Sequence, residues 1–118
     1  MRKNITSVKK HLTFDYGKRK IQIENIRYFE SYAGNYTLVK LQDKANICSS
    51  FTLKHYAEKL ESESNFVLIR KGLSVNFRYV KKITKDDSGN WITLTSGEQF
   101  KFSRRRAKEV EKNHKVAM

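Results

Sequence analysis

Three consecutive arginines, Arg104 to Arg106, are the residues whose types and spacing most clearly favour binding chemistry. The apolar spacing becomes helical after Ser103, which predicts Ser103 as an N-cap and the arginines at the first three helical positions. Because that end of a helix carries about half a positive charge, each cation there costs roughly 0.3 kcal/mol or more in the free protein. A docked phosphate or base edge offsets this cost. The run therefore predicts an anion site, and the alternative is three solvated arginines on an exposed face.

Two further segments carry polar side chains on predicted loops. Asn35 and Tyr36 lie at the tip of a predicted hairpin and supply an amide and a phenol ring. Arg70 and Lys71 follow an apolar stretch and supply two cations. Tyr36 alone is more typical of half-buried packing than of a ligand contact. Tyr36 becomes a credible binding residue only in combination with Lys71 and Arg105.

The sequence lacks the residue groupings that catalysis or metal binding requires. His11, His55 and His114 are scattered singly, and no HExxH motif, Cys-x-x-Cys pair or glycine-rich phosphate loop is present. Asp86 and Asp87 lie in a predicted turn, where carboxylates favour chain reversal over acid–base catalysis. We therefore expect no enzymatic activity, no bound metal and no cofactor.

The single cysteine, Cys48, rules out an internal disulfide and fits a reducing compartment. We expect it to be a small buried thiol on a strand. No run approaches the roughly 18 apolar residues of a membrane span, and the basic start is not followed by the apolar stretch of a signal peptide. The sequence therefore predicts a cytoplasmic protein.

The positive charge is concentrated at the two ends of the chain. The 118 residues contain 25 Lys and Arg against 12 Asp and Glu, a formal net charge of +13. Residues 1–20 carry +6, residues 21–69 carry −1 and residues 70–118 carry +8. A field of this kind attracts polyanions, either nucleic acid or anionic lipid.

The elements that must position these groups are mostly strands, because apolar, aromatic and β-branched residues alternate with polar ones. Leu12 to Phe14 and Ile21 to Ile23 form a predicted hairpin around Tyr16-Gly17-Lys18, and a second hairpin turns at Ala33-Gly34-Asn35. The other predicted strands are Arg27–Tyr32 and Tyr36–Leu41 of the second hairpin, Ile47–Phe51, Tyr79–Thr84, Trp91–Thr95 and Glu98–Phe102.

Two segments have helical spacing. One short helix has an apolar stripe of Leu53, Tyr56, Ala57 and Leu60, with Thr52 as its cap. The second helix begins after Ser103. Taken together, the pattern predicts one mostly β domain with short helices over residues 11–118, preceded by a flexible basic arm over residues 1–10.

Four segments follow one another in a recognisable order over about 80 residues. They are Ile26–Ser31 with Asn35–Thr37, Thr52–Lys54 opening the short helix, Phe66–Asn76 ending in Val75-Asn76, and Phe102–Arg105. In this order they resemble the LytTR-type DNA-binding domain of bacterial response regulators, the output domain of two-component systems. The resemblance covers nearly the whole chain, from about His11 to His114.

The resemblance implies an elongated antiparallel β fold of stacked small sheets. It also implies transcription regulation through sequence-specific binding to double-stranded DNA, with loops that enter successive major grooves from one side. Carried over by register, the implied base contacts are Tyr36, Lys71 and Arg105. The phosphate contacts would then be Asn35, Arg70, Arg104 and Arg106. The chemistry agrees, since arginine and lysine donate to guanine O6 and N7, and a tyrosine ring can meet a thymine methyl.

The chain departs from the family pattern in two respects. The family loop before Val-Asn usually reads Phe-x-Arg-x-His-Arg-Ser, whereas this chain has Leu68, Arg70, Lys71 and Gly72 in place of the Arg, His, Arg and Ser. The loop keeps its positive charge but changes its hydrogen-bond geometry. In addition, 118 residues leave no room for the phosphoacceptor receiver domain, so the chain is either a stand-alone regulator or part of a longer protein. Family members are expected to bind direct repeats as two copies.

Two alternatives stay open at the level of sequence. A basic β module that binds RNA or single-stranded nucleic acid would need exposed aromatics on one sheet face, for which Tyr28 and Tyr32 are the candidates. A membrane-surface or protein-interaction module would use the basic ends, with Met1–Lys10 as a polybasic arm.

Overall fold

The computed structural model describes residues 11–14, 17–43, 45–60 and 65–117, with side chains up to Lys112. The predicted arm Met1–Lys10, Tyr16 of the first turn and the His114 side chain lie outside these limits. Ten strands and two α-helices fall within the described residues. They are β1 His11–Phe14, β2 Arg19–Gln22, β3 Ile26–Tyr32, β4 Tyr36–Leu41, β5 Asn46–Ser49, α1 Leu53–Lys59, β6 Phe66–Arg70, β7 Leu73–Asn76, β8 Val80–Asp86, β9 Gly89–Leu94, β10 Gln99–Phe102 and α2 Ala107–Ala117.

The described strands form three antiparallel sheets. One contains β1 and β2, the second has the order β5-β4-β3-β7-β6, and the third has the order β10-β9-β8. Both predicted hairpins are present, with Leu12 opposite Ile21 in the first and Tyr32 opposite Tyr36 in the second. The prediction of a mostly β fold of small stacked sheets with short helices is confirmed.

Because of a β-bulge in β3, the five-stranded sheet contributes side chains to two separate hydrophobic cores. The register shifts between Ile26 and Tyr28, so residues two apart in sequence face opposite sides of the sheet. Ile26 and Phe29 pack in a cluster with β1, β4, β5 and α1. Tyr28 packs in the other cluster, with β6, β7, the three-stranded sheet and Val110 of α2. The five-stranded sheet is therefore the middle layer of the molecule.

Asn76, the second residue of the Val75-Asn76 motif, fixes the bulged segment from inside. Its buried side chain donates from Nδ2 to the carbonyl oxygen of Ile26 over 3.0 Å and accepts from the Arg78 N–H over 3.0 Å. The second bond caps a 3-10 turn over Phe77–Tyr79. One amide thus joins the bulge to the connection between β7 and β8.

Helix α1 begins as predicted, since the Thr52 Oγ1 accepts a hydrogen bond from the His55 N–H over 3.3 Å. Tyr56 and Leu60 are buried, but Ala57, predicted to lie on the apolar stripe, is exposed. The helix is only two turns long and contacts the sheet along a narrower stripe than the four-residue pattern requires.

The arginine run adopts tighter geometry than the prediction of three helical positions. Arg104–Arg106 form a 3-10 turn, closed by the Arg106 N–H donating to the Ser103 carbonyl over 3.0 Å, and α2 begins at Ala107. Ser103 stands at the start of this turn, but its side chain makes no capping hydrogen bond. A 3-10 turn is common where an α-helix begins.

Cys48 is exposed, so the expectation of a buried thiol is wrong. In β5 the inward positions are Ile47 and Ser49, and side chains alternate across a strand. Cys48 therefore points outward. The strand also ends at Ser49, two residues before its predicted end, which leaves Phe51 exposed.

Candidate nucleic-acid interface

The segment predicted as a loop around Lys71 is a tight hairpin. Arg70 ends β6, Leu73 begins β7, and these two residues are register partners across the turn. Gly72 has φ +84°, a conformation that favours glycine. Arg70 and Lys71 are both exposed. The hairpin therefore presents its two cations at one end of the five-stranded sheet.

A backbone hydrogen bond joins this hairpin to the hairpin of β3 and β4. The Ser31 N–H donates to the Gly72 carbonyl oxygen over 2.8 Å. A Cβ atom at position 72 would lie 3.4 Å from the Ser31 Cβ, so the two chains approach closely here. Asn35 is the last residue of the turn and Tyr36 is the first residue of β4, and both are exposed beside this contact. The structure thus brings Tyr36 and Lys71 to the same end of one sheet.

A second backbone hydrogen bond brings in the arginine run. The Ser103 N–H donates to the Ile69 carbonyl oxygen over 3.3 Å. Arg104 and Arg105 follow directly and are exposed. The Arg106 side chain is half-buried and its Nη1 lies 3.6 Å from the Glu109 Oε2. Of the three arginines, Arg106 is therefore the one already engaged with an acidic group.

The three segments with predicted base contacts consequently form a line along the end of the sheet. The line runs from β4 across β3 to the β7–β6 hairpin, and Ser103 lies against β6. Three strand spacings separate β4 from β6, about 14 Å at roughly 4.8 Å each. A B-DNA major groove is about 12 Å wide, so this line is slightly longer than one groove is wide. We call this line the contact edge.

The contact edge is also where large apolar side chains are exposed. Among the described residues, the exposed large hydrophobics are Tyr32 at 52%, Tyr36 at 44% and Phe51 at 55%. Tyr32 and Tyr36 are register partners at the tip of one hairpin. Phe51 follows β5, the next strand, and its carbonyl accepts from the Thr37 hydroxyl over 2.8 Å. Tyr32 and Tyr36 thus lie on the contact edge, whereas Phe51 lies at the same end of the sheet but outside the line from β4 to Ser103.

Tyr32 was predicted only as one of two stacking residues for single-stranded nucleic acid. The other, Tyr28, is 4% exposed, and its hydroxyl donates to the Glu98 Oε2 over 2.9 Å. The pair therefore makes no exposed stacking platform. The sequence did contain a signal for Tyr32, because two tyrosines that flank a three-residue turn become cross-strand neighbours.

A charged network, which the sequence patterns did not predict, lies at the opposite end of β3 from the contact edge. The Arg27 guanidinium forms an ion pair with Glu98 and donates to the Ser96 hydroxyl over 3.1 Å, while its Nε donates to the Leu41 carbonyl over 2.9 Å. Burial opposes ionisation of Glu98, but hydrogen bonds from Ser96 and Tyr28 and the charge of Arg27 outweigh it and lower its pKa. Burial and the Glu98 contact raise the pKa of Tyr28.

This network fixes the three-stranded sheet against the five-stranded one. Arg27 lies on β3, whereas Ser96 and Glu98 lie in the turn between β9 and β10. From there β10 leads straight to Ser103 and the arginine turn. The position of Arg105 relative to Tyr36 therefore depends on this ion pair as well as on the backbone bond to Ile69.

The hairpin of β8 and β9 is stabilised by a carboxylate, in agreement with the predicted structural role of Asp86. Its Oδ1 accepts from the N–H groups of Ser88 and Gly89 over 2.8 and 3.1 Å and from the Trp91 Nε1 over 3.2 Å. Hydrogen bonds from the Ser88 hydroxyl and N–H lower the pKa of Asp86. Asp86 is therefore committed to the turn.

Neither a metal centre nor a membrane span emerges from the part of the chain that the structure describes. No three His, Cys, Asp or Glu side chains within it cluster as metal ligands. No helix within it is long and apolar enough to cross a bilayer.

Comparisons with known proteins agree with this architecture. The family model of the LytTr DNA-binding domain matches residues 16–115. A solved LytTr DNA-binding domain of a response regulator from Bacillus cereus is similar in fold, with a TM-score of 0.69 at 19% identity over 89% of this chain and 94% of that one. A search of curated proteins found no match. On the extent of the family match and the shared fold, the chain belongs to the LytTR family of DNA-binding domains.

Proposed function

We propose that this chain regulates transcription by binding double-stranded DNA sequence-specifically through the contact edge. One observation carries the proposal. Tyr36, Lys71 and Arg105 lie on three separate segments, yet two backbone hydrogen bonds, Ser31 to Gly72 and Ser103 to Ile69, hold those segments along one end of one sheet. Side chains that must read neighbouring base pairs need a common rigid support of this kind.

Each of the three residues supplies a different base contact. Arg105 makes a bidentate contact with guanine O6 and N7, and Lys71 donates to the same class of acceptor. Tyr36 places its ring against a thymine methyl and its hydroxyl near an acceptor. The segments enter successive major grooves from one side of the duplex.

Phosphate contacts fix the position of the edge and supply salt-dependent affinity. Asn35, Arg70 and Arg104 are exposed next to the three base-reading residues and fit this role. Arg106 takes part more weakly because Glu109 shares its guanidinium.

We further propose that two copies bind a direct repeat about 10 base pairs apart, so that both face the same side of the duplex. The copies pair on DNA rather than in free solution. This follows from the absence, among the described elements, of a long apolar helix that would support a coiled-coil dimer. Sedimentation velocity at micromolar protein without DNA is expected to give a monomer, and a tight dimer would contradict the pairing model.

The test of the proposed function is selection of duplexes from a random library at about 150 mM salt, followed by sequencing. The wild type, Arg105→Ala and a control, Lys82→Ala, are run side by side, since Lys82 is an exposed cation on β8 away from the contact edge. One lost bidentate contact costs about 1 to 3 kcal/mol at a single base position.

The expected result is a short repeated motif whose preference relaxes at one position in Arg105→Ala and is unchanged in Lys82→Ala. Binding that only tracks salt, with no enriched motif, would reject sequence-specific regulation. Stronger binding to single strands, or equal affinity for anionic vesicles, would favour one of the two alternative classes instead.

A further inference from the structure

We propose that Tyr32 is a fourth base-reading residue, which contacts the duplex between the contacts of Tyr36 and Lys71. The inference rests on the proposed DNA-binding function and adds a specificity-determining residue to it. Neither the family resemblance nor the sequence patterns assigned Tyr32 to duplex DNA.

Tyr32 lies between Tyr36 and the hairpin of Lys71 in the five-stranded sheet. Tyr32 ends β3, and β3 lies between β4, which begins at Tyr36, and the β7–β6 hairpin, which carries Lys71. Tyr32 and Tyr36 are direct register partners. On the other side, the residue before Tyr32 is bonded to Gly72, the neighbour of Lys71 in the chain. A duplex that reaches both Tyr36 and Lys71 must therefore pass over Tyr32.

The Tyr32 side chain is exposed to solvent. Tyr32 leaves 52% of its surface open, although it sits in a strand whose earlier members, from Ile26 to Phe29, are all buried. A large ring held open on a rigid strand is typical of an aromatic anchor at an interface. Its neighbour Tyr36 is open to a similar degree. Two rings side by side present a wider apolar surface than one.

A tyrosine side chain can make two kinds of contact with a duplex. The edge of a tyrosine ring can pack against a thymine methyl in the major groove, and its hydroxyl can donate to a phosphate oxygen or base acceptor nearby. Arginine and lysine lie to the same side at Arg70 and Lys71, so the local field already attracts the phosphates that flank such a site. Tyr32 would thus read a thymine next to bases read by its two neighbours.

The test measures binding to the operator selected by the wild-type protein. Tyr32→Ala is expected to lower affinity about tenfold, because it removes an apolar ring that becomes buried on DNA. Tyr32→Phe keeps the ring and loses a hydrogen bond, so about a threefold loss is expected. Phe51→Ala is the matched control, because Phe51 is equally exposed but lies beyond β4, stacked on His55 at a centroid distance of 4.3 Å. Its loss is expected to be below about twofold.

Base selection in the variants gives the sharper readout. The operator position that relaxes in Tyr32→Ala is expected to lie between the positions that relax in Tyr36→Ala and Lys71→Ala. Circular dichroism and thermal midpoints of each variant show whether the fold is retained, and Tyr32→Phe serves if Tyr32→Ala unfolds. A relaxed position between the other two supports the proposal.

Two outcomes would overturn it. One is wild-type affinity and base preference in Tyr32→Ala on an operator that the wild type binds specifically. The other is an equal loss of operator affinity in Tyr32→Ala and Phe51→Ala with no change in base preference, which would indicate only a nonspecific apolar contact. If the wild type selects no operator at all, the proposed function itself fails, so the two failures are distinguishable.

Discussion

The Arg27 guanidinium on β3 forms an ion pair with the Glu98 carboxylate, 71 residues further along the chain, in the turn just before β10. Arg27 is buried, whereas the Glu98 side chain is 35% exposed. The pair connects the sheet that carries Tyr36 with the strand that leads to Arg105. It is one of the polar links between the five-stranded and three-stranded sheets.

Replacing Glu98 by alanine is therefore expected to destabilise the fold by about 2 kcal/mol, since it leaves the buried Arg27 charge without its partner and frees the Tyr28 hydroxyl. The partial exposure of Glu98 keeps the loss below that of a fully buried pair. Urea unfolding measures the change, with Glu58→Ala on the exposed face of α1 as the control. Equal stability of Glu98→Ala and the wild type would show that the pair contributes nothing.

The same contact predicts an acid-sensitive component of stability. The folded-state pKa of Glu98 is lowered, so its contribution is present above the unfolded pKa of about 4.3 and is lost as pH falls through the folded value. The difference in unfolding free energy between the wild type and Glu98→Gln is expected to shrink as pH falls from about 7 to about 3. Urea titrations of both proteins test this, and a difference that is constant with pH would contradict it.

Gly72 is expected to matter for stability and DNA binding together. At φ +84° an alanine is strained by about 1 kcal/mol, although its Cβ would meet Ser31 at an acceptable 3.4 Å. Relief of the strain moves the turn that carries Lys71. Gly97→Ala is the matched control, because Gly97 has φ +99° with open space around it, at the opposite end of β10 from Ser103. Both variants should lose stability, measured by urea unfolding, and only Gly72→Ala should lose operator affinity.

The salt dependence of DNA binding separates the arginines of the run. Each phosphate contact contributes about 0.9 to the slope of log affinity against log salt. Arg104→Ala is expected to lower the slope by about this amount, and Arg106→Ala by less, because Glu109 already holds its guanidinium. Titrations at four salt concentrations, with Lys82→Ala as the control, give the slopes. A larger effect at Arg106 than at Arg104 would reverse the assigned roles.

Cys48 offers a direct check of the described surface. Its side chain is exposed on β5, so it is expected to react with a thiol reagent in the native state at nearly the rate seen in denaturant. Protection in the native protein would instead support the burial that the sequence pattern suggested.

The sequence predicted those features that depend on neighbours in the chain. Alternating residues and turn chemistry gave both hairpins, and the Thr52 cap gave the start of α1. The position of Tyr36 at a hairpin tip also followed from local pattern. Features that depend on tertiary contacts were either not predicted or predicted wrongly. Cys48 and Ala57 carry no local sign of which face the core will cover.

Long-range pairing was the other limit. Nothing near Arg27 or Glu98 indicates that they meet, since a charged residue in an alternating strand reads as solvent-exposed until its partner is known. The bulge in β3, which puts Ile26 and Tyr28 on opposite faces, likewise breaks the period on which strand assignment depends. The tight hairpin turn at Lys71 and Gly72 differs from the predicted loop, because the continuous apolar run before it lacks the alternation that indicates a strand.

The two hydrogen bonds that align the contact edge, from Ser31 to Gly72 and from Ser103 to Ile69, use main-chain atoms alone. Nearly every amino acid supplies those atoms, so the side chains proposed to read DNA can be exchanged while the scaffold keeps its geometry. Tyr36, Lys71 and Arg105 can therefore be substituted without changing the backbone that supports them. Such a backbone allows operator preference to diverge, in evolution or by design, one base position at a time.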